Sequence, residues 1–203
     1  DSRAVLNCGT PSPMSMATGA DAGVDAAFFV GYHARIGTPN AVLDHTWSSR
    51  RVSNLWINGR LIGEFGLNAA VCGHFGVPAL LVSGDQSVCA EAKEWVDGVE
   101  GVQVKHANGR EAASVLPPAV AQEKIRAGAE RAVRRFVEHK APAPLKLGAP
   151  VTFTLEYFYT TMADSASLMP GAKRLDGRRI EFTAEDVVSG FRAFRAAVNM
   201  VSI

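Results

Sequence analysis

Two short apolar runs without polar interruption constrain the fold of this chain more than any other feature. Residues 26–30 form the first run, which ends at Gly31, and residues 79–82 repeat the pattern. A strand with one face in water alternates apolar and polar residues, whereas a strand covered on both faces is apolar throughout. Both runs therefore predict buried strands of a parallel sheet.

Segments with a helical period lie between and after these strands. Residues 64–75 and 87–96 predict two helices, and residues 118–140 predict a long amphipathic helix with one solvated face. The dipeptide Asn58-Gly59 lies between two apolar segments and favours a type I′ hairpin. Strands that alternate with helices indicate the α/β class, with a central mixed, largely parallel sheet flanked by helices.

Alternating alanine and proline residues predict one boundary, a short stiff linker at residues 141–150. The linker separates a main α/β domain at residues 1–140 from a smaller C-terminal α+β part at residues 151–203. This smaller part is predicted to contain a strand, a hairpin and a final helix. We expect a capping box of Thr183 and Asp186 to open that helix.

The charge balance excludes several classes of partner. The 203 residues carry 21 basic and 20 acidic side chains, a net charge of +1, which argues against a nucleic-acid partner. No apolar run approaches the roughly 18 residues of a membrane helix and no signal peptide is visible, so we expect no membrane partner. The cysteines, Cys8, Cys72 and Cys89, lack paired spacing, which favours a reducing, cytoplasmic location.

Three residues form a candidate metal site. His33 follows the first predicted strand, at the end where open α/β sheets bind ligands, and His45 comes 12 residues later. Glu64 begins the first predicted helix. Imidazole nitrogen and carboxylate oxygen together suit a zinc ion. An ordinary interpretation also fits, since a histidine after a strand can bond its own loop and the helix dipole stabilises a carboxylate in the first turn.

Several short segments occur together in one order along the chain. They are Gly31-Tyr32-His33-Ala34-Arg35 with Thr38-Pro39, then His45, Gly63-Glu64-Phe65-Gly66-Leu67-Asn68-Ala69, Val77-Pro78, Val82-Ser83-Gly84-Asp85 and Leu168-Met169-Pro170-Gly171. In this order and at this spacing the sequence resembles the zinc-dependent D-aminopeptidase family. The resemblance extends from about Gly9 onward.

The resemblance implies a metallo-aminopeptidase that removes N-terminal D-amino acids, chiefly D-alanine, from short peptides. It implies two zinc ions per subunit, with His33 and Glu64 among their ligands and His45 as the nucleophile or general base. It also implies self-association into a ring-like homo-oligomer, which is a decamer in the family. We expect Trp47, Trp56 and the final helix to supply aromatic surface for such interfaces.

The remaining metal ligands of the family lie upstream of the segment that matches His33. We therefore expect the N-terminal portion of the main domain to be missing from this sequence, so that only part of the ligand set is present. His33 and Glu64 alone would bind zinc weakly, since zinc normally takes four ligands or three and a water. The alternative is a non-catalytic or metal-deficient oligomeric subunit or fragment that retains the fold. A metal-free hydrolase is disfavoured, because Asp44 cannot easily reach the ring of its neighbour His45.

Overall fold

The computed structural model describes residues 1–9 and 12–202. Within these residues, two 3₁₀ turns precede a series of strands and α-helices. The strands are β1 Ala27–Phe29, β2 Val52–Ile57, β3 Arg60–Leu61, β4 Ala79–Gly84, β5 Glu100–Gln103, β6 Lys105–Gly109, β7 Ala112–Val115, β8 Val151–Tyr157, β9 Lys173–Arg174 and β10 Arg179–Ala184. The helices are α1 Glu64–His74, α2 Gln86–Trp95, α3 Pro118–Val137, α4 Thr160–Ala166 and α5 Val187–Asn199.

The two apolar runs become neighbouring parallel strands. The first sheet has the order β1-β4-β5 with every pair parallel. Leu81 and Val82 of β4 are adjacent and fully buried, and successive side chains of a strand point to opposite faces. Leu81 joins a cluster with Ala132 of α3, whereas Val82 joins the main core with residues of α1 and α2. Helices therefore cover both faces of the sheet at β4, and the predicted α/β class is confirmed. The prediction of a buried strand holds for β4 but not for β1, where Phe28 is 41% exposed.

A second, five-stranded sheet is antiparallel and has the order β3-β2-β8-β10-β9. The β2–β3 hairpin turns at Asn58 and Gly59, whose φ angles of 50° and 76° are the positive values that a type I′ turn requires. Along β8, buried residues alternate with partly exposed ones, as in a sheet with one covered face. Helix α5 covers that face, with Phe191 and Phe194 fully buried.

Strands from both sides of residues 141–150 meet in this second sheet. β2 pairs with β8, for example through Leu55 and Leu155, and both residues lie in the main core. The division into domains at residues 1–140, 141–150 and 151–203 remains a prediction. Any division of the chain has to account for the sheet that both sides share.

The structure corrects two local predictions. Thr183 lies in β10 opposite Thr152, and only Asp186 caps α5, by accepting the backbone N–H of Ser189. The alternating strand pattern therefore continues through Thr183, and the helix starts later. Trp47 packs edge-on against the buried ring of Phe191 and is partly buried, so only part of its indole is left as interface surface.

Helix α3 is amphipathic, as predicted. Ala132 faces the parallel sheet, while Arg126 pairs with Glu123 and Glu130 on the exposed side. Such exposed pairs contribute little stability, because solvent screens them. In the part of the chain that the structure describes, no helix combines the length and apolarity needed to cross a membrane.

Candidate metal centre

His33, His45 and Glu64 meet at one point of the structure. His33 and His45 lie in the long connection between β1 and β2, and Glu64 is the first residue of α1. The Nε2 atoms of His33 and His45 lie 3.3 Å and 3.5 Å from Glu64 Oε1. One ligand atom from each of the three residues lies within 4.8 Å of the other two. The structure thus brings together all three residues that the sequence singled out.

The hydrogen bonds of the imidazoles fix which nitrogen carries the proton. His33 Nδ1 lies 3.1 Å from Ala34 O, and His45 Nδ1 lies 2.7 Å from Leu43 O. A carbonyl oxygen can only accept, so each Nδ1 must be the donor. In the neutral rings, the lone pair is therefore on Nε2 and faces Glu64. The two rings stack, with centroids 3.7 Å apart and an interplanar angle of 17°.

Two imidazole lone pairs and a carboxylate oxygen converge at this point, and such a set requires a proton or a cation. Burial alone would raise the pKa of Glu64, but the hydrogen bond and charge of His33 outweigh it, and the pKa is lowered. Burial would likewise lower the pKa of His33, but Glu64 raises it overall. Without a metal, a proton on His33 satisfies the pair. Two nitrogen donors and one anionic oxygen, each imidazole braced at Nδ1, also fit zinc.

His33 is placed by the close approach of its chain segment to β4. The Tyr32 N–H donates to Ser83 O at 2.8 Å, and the Gly31 N–H donates to Ser83 Oγ at 3.1 Å. A Cβ added at Gly84 would overlap Tyr32 O. Gly84 therefore allows the backbone to pass directly over the carboxyl end of the strand. This is the end of an open α/β sheet where ligands bind.

Glu64 is held by the geometry of the helix start. Gly63 precedes it, and a Cβ at Gly63 would overlap the carboxylate of Glu91 and the Cβ of Arg35. The backbone N–H of Trp47 donates to Glu64 Oε1 at 2.8 Å. The side chain of Glu64 is only 6% exposed. Glu64 is thus a buried carboxylate aimed at two imidazoles, and not simply a solvated residue in a first helical turn.

Three more buried carboxylates hold the backbone that carries the two histidines, residues 31–51, which we call the histidine loop. Glu91 Oε2 accepts the Arg35 N–H at 2.8 Å and Asp85 Oδ2 accepts the Val42 N–H at 2.7 Å. Asp44 Oδ2 accepts the Gly37 N–H at 2.6 Å. No sequence pattern predicted these contacts. Only Asp85 carries a sequence signal, as an aspartate directly before a helix, and that signal indicates a cap and says nothing of the loop.

Asp44 does not orient His45, in agreement with the sequence argument. Its carboxylate binds Gly37 and the guanidinium of Arg110, with Oδ1 3.1 Å from Arg110 Nε. Arg110 lies in the turn between β6 and β7, and its backbone carbonyl accepts the Leu43 N–H at 2.8 Å. The β6–β7 turn therefore also holds the histidine loop, through Asp44 and Leu43.

Comparisons with known proteins identify the family of this chain. The family model described as D-aminopeptidase, a peptidase family, matches residues 1–196. A curated relative, the D-aminopeptidase of Bacillus subtilis (strain 168), is 34% identical over 189 residues, which are 93% of this chain and 67% of the relative. A solved structure, the Zn-dependent D-aminopeptidase DppA from Bacillus subtilis, a self-compartmentalizing protease, superposes with a TM-score of 0.90 at 32% identity. The superposition covers 96% of this chain and 70% of that one. The chain therefore belongs to the D-aminopeptidase family of peptidases.

Proposed function

We propose that this protein is a zinc-dependent aminopeptidase that hydrolyses N-terminal D-amino acids, of the D-alanine class, from short peptides. The observation that carries the proposal is the convergence of two imidazole Nε2 atoms on the buried carboxylate of Glu64. Membership of the D-aminopeptidase family supplies the substrate class. The zinc dependence named for the solved relative agrees with the donors that converge here.

In this proposal His33 and Glu64 hold zinc. Zinc, when bound, polarises a peptide carbonyl and lowers the pKa of a bound water. Hydrogen bonds from neighbouring residues hold the two ligand side chains in the orientation that metal binding needs. Ala34 O holds the Nδ1–H of His33, and the Trp47 N–H holds Glu64 Oε1, so neither donor has to reorient. Burial keeps competing water away from the carboxylate of Glu64.

His45 is proposed as the nucleophile or general base. Its side chain is 29% exposed, more than that of His33 at 19%, so a substrate can reach it more easily. Because Leu43 O accepts the Nδ1–H, Nε2 of the neutral ring is free to take a proton or attack. An imidazole suits either role near neutral pH, where both protonation states are accessible.

We propose two zinc ions per subunit. The two proposed ligands, His33 and Glu64, cannot complete even one site, because each zinc ion takes about four ligands, or three and a water. Among the described residues, His33, His45 and Glu64 form the one cluster of three or more metal-ligating side chains. The second ion therefore needs donors beyond this cluster. Metal analysis that gives one zinc per subunit would contradict this part of the proposal.

We also propose a cytoplasmic, ring-like homo-oligomer, a decamer. The solved relative is described as self-compartmentalizing, which requires an assembly that encloses its active sites. Apolar side chains that an assembly can cover are available on the surface, among them Val115 and Val137, each 70% exposed. Sedimentation velocity of the full chain is expected to give ten times the mass of one subunit. A monomer at micromolar concentration would contradict the ring.

The experiment that tests the enzymatic proposal compares D-Ala-D-Ala with L-Ala-L-Ala as substrates of the full chain. We expect hydrolysis of the D-dipeptide, loss of turnover after chelation and recovery when zinc is added back. Equal cleavage of both dipeptides would contradict the stereochemical class, and turnover that survives chelation would contradict the metal. A zinc-free oligomer without turnover would match the alternative of a non-catalytic subunit.

A further inference from the structure

Asp85 is a fully buried carboxylate whose two oxygens bind different parts of the chain. Oδ1 accepts the backbone N–H groups of Ser87 and Val88, at 3.0 Å and 2.9 Å, and so caps α2. Oδ2 accepts the Val42 N–H of the histidine loop at 2.7 Å. The residue is 0% exposed, so no water replaces either contact. Asp85 thus joins the start of a helix to a segment 43 residues earlier in the chain.

The contact at Val42 lies one residue before a strained position. Leu43 has a φ of 51°, in the left-handed region that costs free energy for a residue with a Cβ. Such a conformation persists only where neighbouring contacts hold it. The Leu43 carbonyl is the acceptor for His45 Nδ1–H. The direction of this carbonyl, and with it the tautomer of His45, therefore depends on the contacts that hold residues 42 and 43.

Neighbouring side chains of α2 hold the same part of the loop. Gln86 Nε2 and Ser87 Oγ each donate to Asn40 O at 2.7 Å. Asn40 also has a positive φ, of 51°. The N-terminus of α2 therefore holds both the carbonyl at residue 40 and the amide at residue 42. A cap alone would require only the Oδ1 contacts of Asp85.

We propose that Asp85 is a positioning residue for His45. Through Val42 and the left-handed Leu43 it orients the carbonyl that keeps the His45 proton on Nδ1 and leaves Nε2 facing the centre. The effect on turnover rests on the proposed function of His45. The effects on backbone protection and on the His45 tautomer are independent of that function.

The variant Asp85→Asn separates the two contacts. Asparagine caps helices about as well as aspartate, so its Oδ1 can still accept the Ser87 and Val88 N–H groups. Its amide nitrogen then faces the Val42 N–H, and two donors oppose each other. The matched control is Asp186→Asn, because Asp186 caps α5 through the Ser189 N–H and does not contact the histidine loop.

The first readout is amide hydrogen exchange. In Asp85→Asn we expect the Val42 amide to exchange about 10- to 100-fold faster, as for loss of a hydrogen bond to a charged acceptor, whereas the Leu43 amide keeps its hydrogen bond to Arg110 O. The Ser87 and Val88 amides should keep their protection. The control should leave all four amides unchanged. Equal acceleration at the loop and at the start of α2, or none at either, would overturn the proposal.

The second readout is the nitrogen-15 NMR spectrum of the His45 imidazole, which reports which ring nitrogen is protonated. The unmodified protein should show Nδ1–H, and Asp85→Asn should show an increased Nε2–H fraction. An unprotected Val42 amide or an Nε2–H His45 in the unmodified protein would overturn the proposal, even if the variant failed to fold. In active protein we expect kcat to fall about 10- to 100-fold with KM changed less than about twofold. If the unmodified protein is inactive but both structural readouts respond as expected, the proposed function fails and the positioning role stands.

Discussion

Glu64 Oε1 is the atom on which the candidate metal centre converges. It accepts the Trp47 N–H at 2.8 Å and lies 3.3 Å and 3.5 Å from the Nε2 atoms of His33 and His45. The geometry about this oxygen is nearly the same for both imidazoles. The proposed difference in role between His33 and His45 therefore depends on their exposure and on the substrate. Variants of the two residues can distinguish the two roles.

Alanine substitutions separate a metal ligand from a catalytic group. We expect His33→Ala to lose both zinc and turnover. His45→Ala should keep zinc while kcat falls by roughly 100- to 10,000-fold, the usual contribution of a general acid–base group. Zinc content and kcat measured on the same preparations check this. The control is His106→Ala, because His106 is exposed in β6, away from the centre. Equal zinc loss from the His33 and His45 variants would make His45 a ligand.

The residues of the candidate centre could be predicted from the sequence, but the shape of the loop between them could not. His33 follows the apolar run that forms β1 and Glu64 begins a helix, so local patterns place both near the sheet edge. The loop is different, because Asn40, Leu43 and Trp47 have positive φ angles, which local preference disfavours for residues with a Cβ. Distant groups hold these conformations, and a sequence does not show which distant groups will meet.

At the scale of elements, helix starts differ in how their free amides are satisfied. Asp85 and Asp186 cap α2 and α5, whereas Gly63 precedes α1 without a side-chain cap. The space next to Gly63 is filled by Arg35 and Glu91. Helix α1 thus lacks a side-chain cap at the point where its backbone approaches the histidine loop closely. The strands β1 and β4 were predictable from apolar runs, but the pairing of β2 with β8 was not, because the paired residues lie about a hundred positions apart in the chain.

The cap at Asp186 predicts a pH-dependent stability. The N–H of Ser189, with the nearby charge of His74 as a smaller cause, holds the pKa of this carboxyl below its ordinary value. A lowered folded pKa gives stability that is complete above the unfolded pKa and is lost as pH falls through the folded pKa. Asp186→Asn caps without titrating. Urea unfolding should therefore show similar stabilities near pH 7 and a relative loss for the unmodified protein between about pH 5 and pH 3. A difference in the free energy of unfolding between the two proteins that does not change with pH would contradict this prediction.

The packing of α5 on β8 predicts the effect of Gly190→Ala. An added Cβ would overlap the ring of Phe153, an overpacking that costs about 1–3 kcal/mol. Replacing glycine inside a helix returns about 0.5–1 kcal/mol. We expect a net loss of roughly 1 kcal/mol in the free energy of unfolding, from the difference of the two effects. Gly148→Ala is the control, because a Cβ there meets no atom within 4 Å. Stabilisation by Gly190→Ala would show that Phe153 moves freely.

At the scale of the whole molecule, β8 is the central strand of a sheet that both halves of the chain build. It lies between β2 and β10, and Leu155 on it is fully buried in the main core. The core that supports β8 also contains Phe65 of α1, the helix that begins with Glu64. Damage to the C-terminal part should therefore reach the metal centre.

Leu155→Ala tests whether the two parts of the chain are coupled in unfolding. We expect a loss of about 2–5 kcal/mol in the free energy of unfolding, as for other large-to-small changes in a core. Unfolding followed by calorimetry should remain a single transition for both proteins, because the two sides of residues 141–150 share the sheet. Leu168→Ala, at a position 78% exposed, should change stability by less than about 0.5 kcal/mol. Two separate transitions would show that residues 151–203 unfold independently.

The zinc bound per chain by the protein and by Glu64→Gln is the most direct test of the metal centre. The glutamine can still accept the Trp47 N–H but carries no charge, so affinity should fall by more than the roughly 10- to 100-fold typical of losing an outer hydrogen-bond partner. Glu94→Gln, at a side chain 60% exposed, is the control and should bind zinc normally. Zinc retained by the protein and by Glu94→Gln but lost by Glu64→Gln is the predicted result. Equal zinc binding in all three proteins, or none in any, would contradict a metal centre at His33, His45 and Glu64.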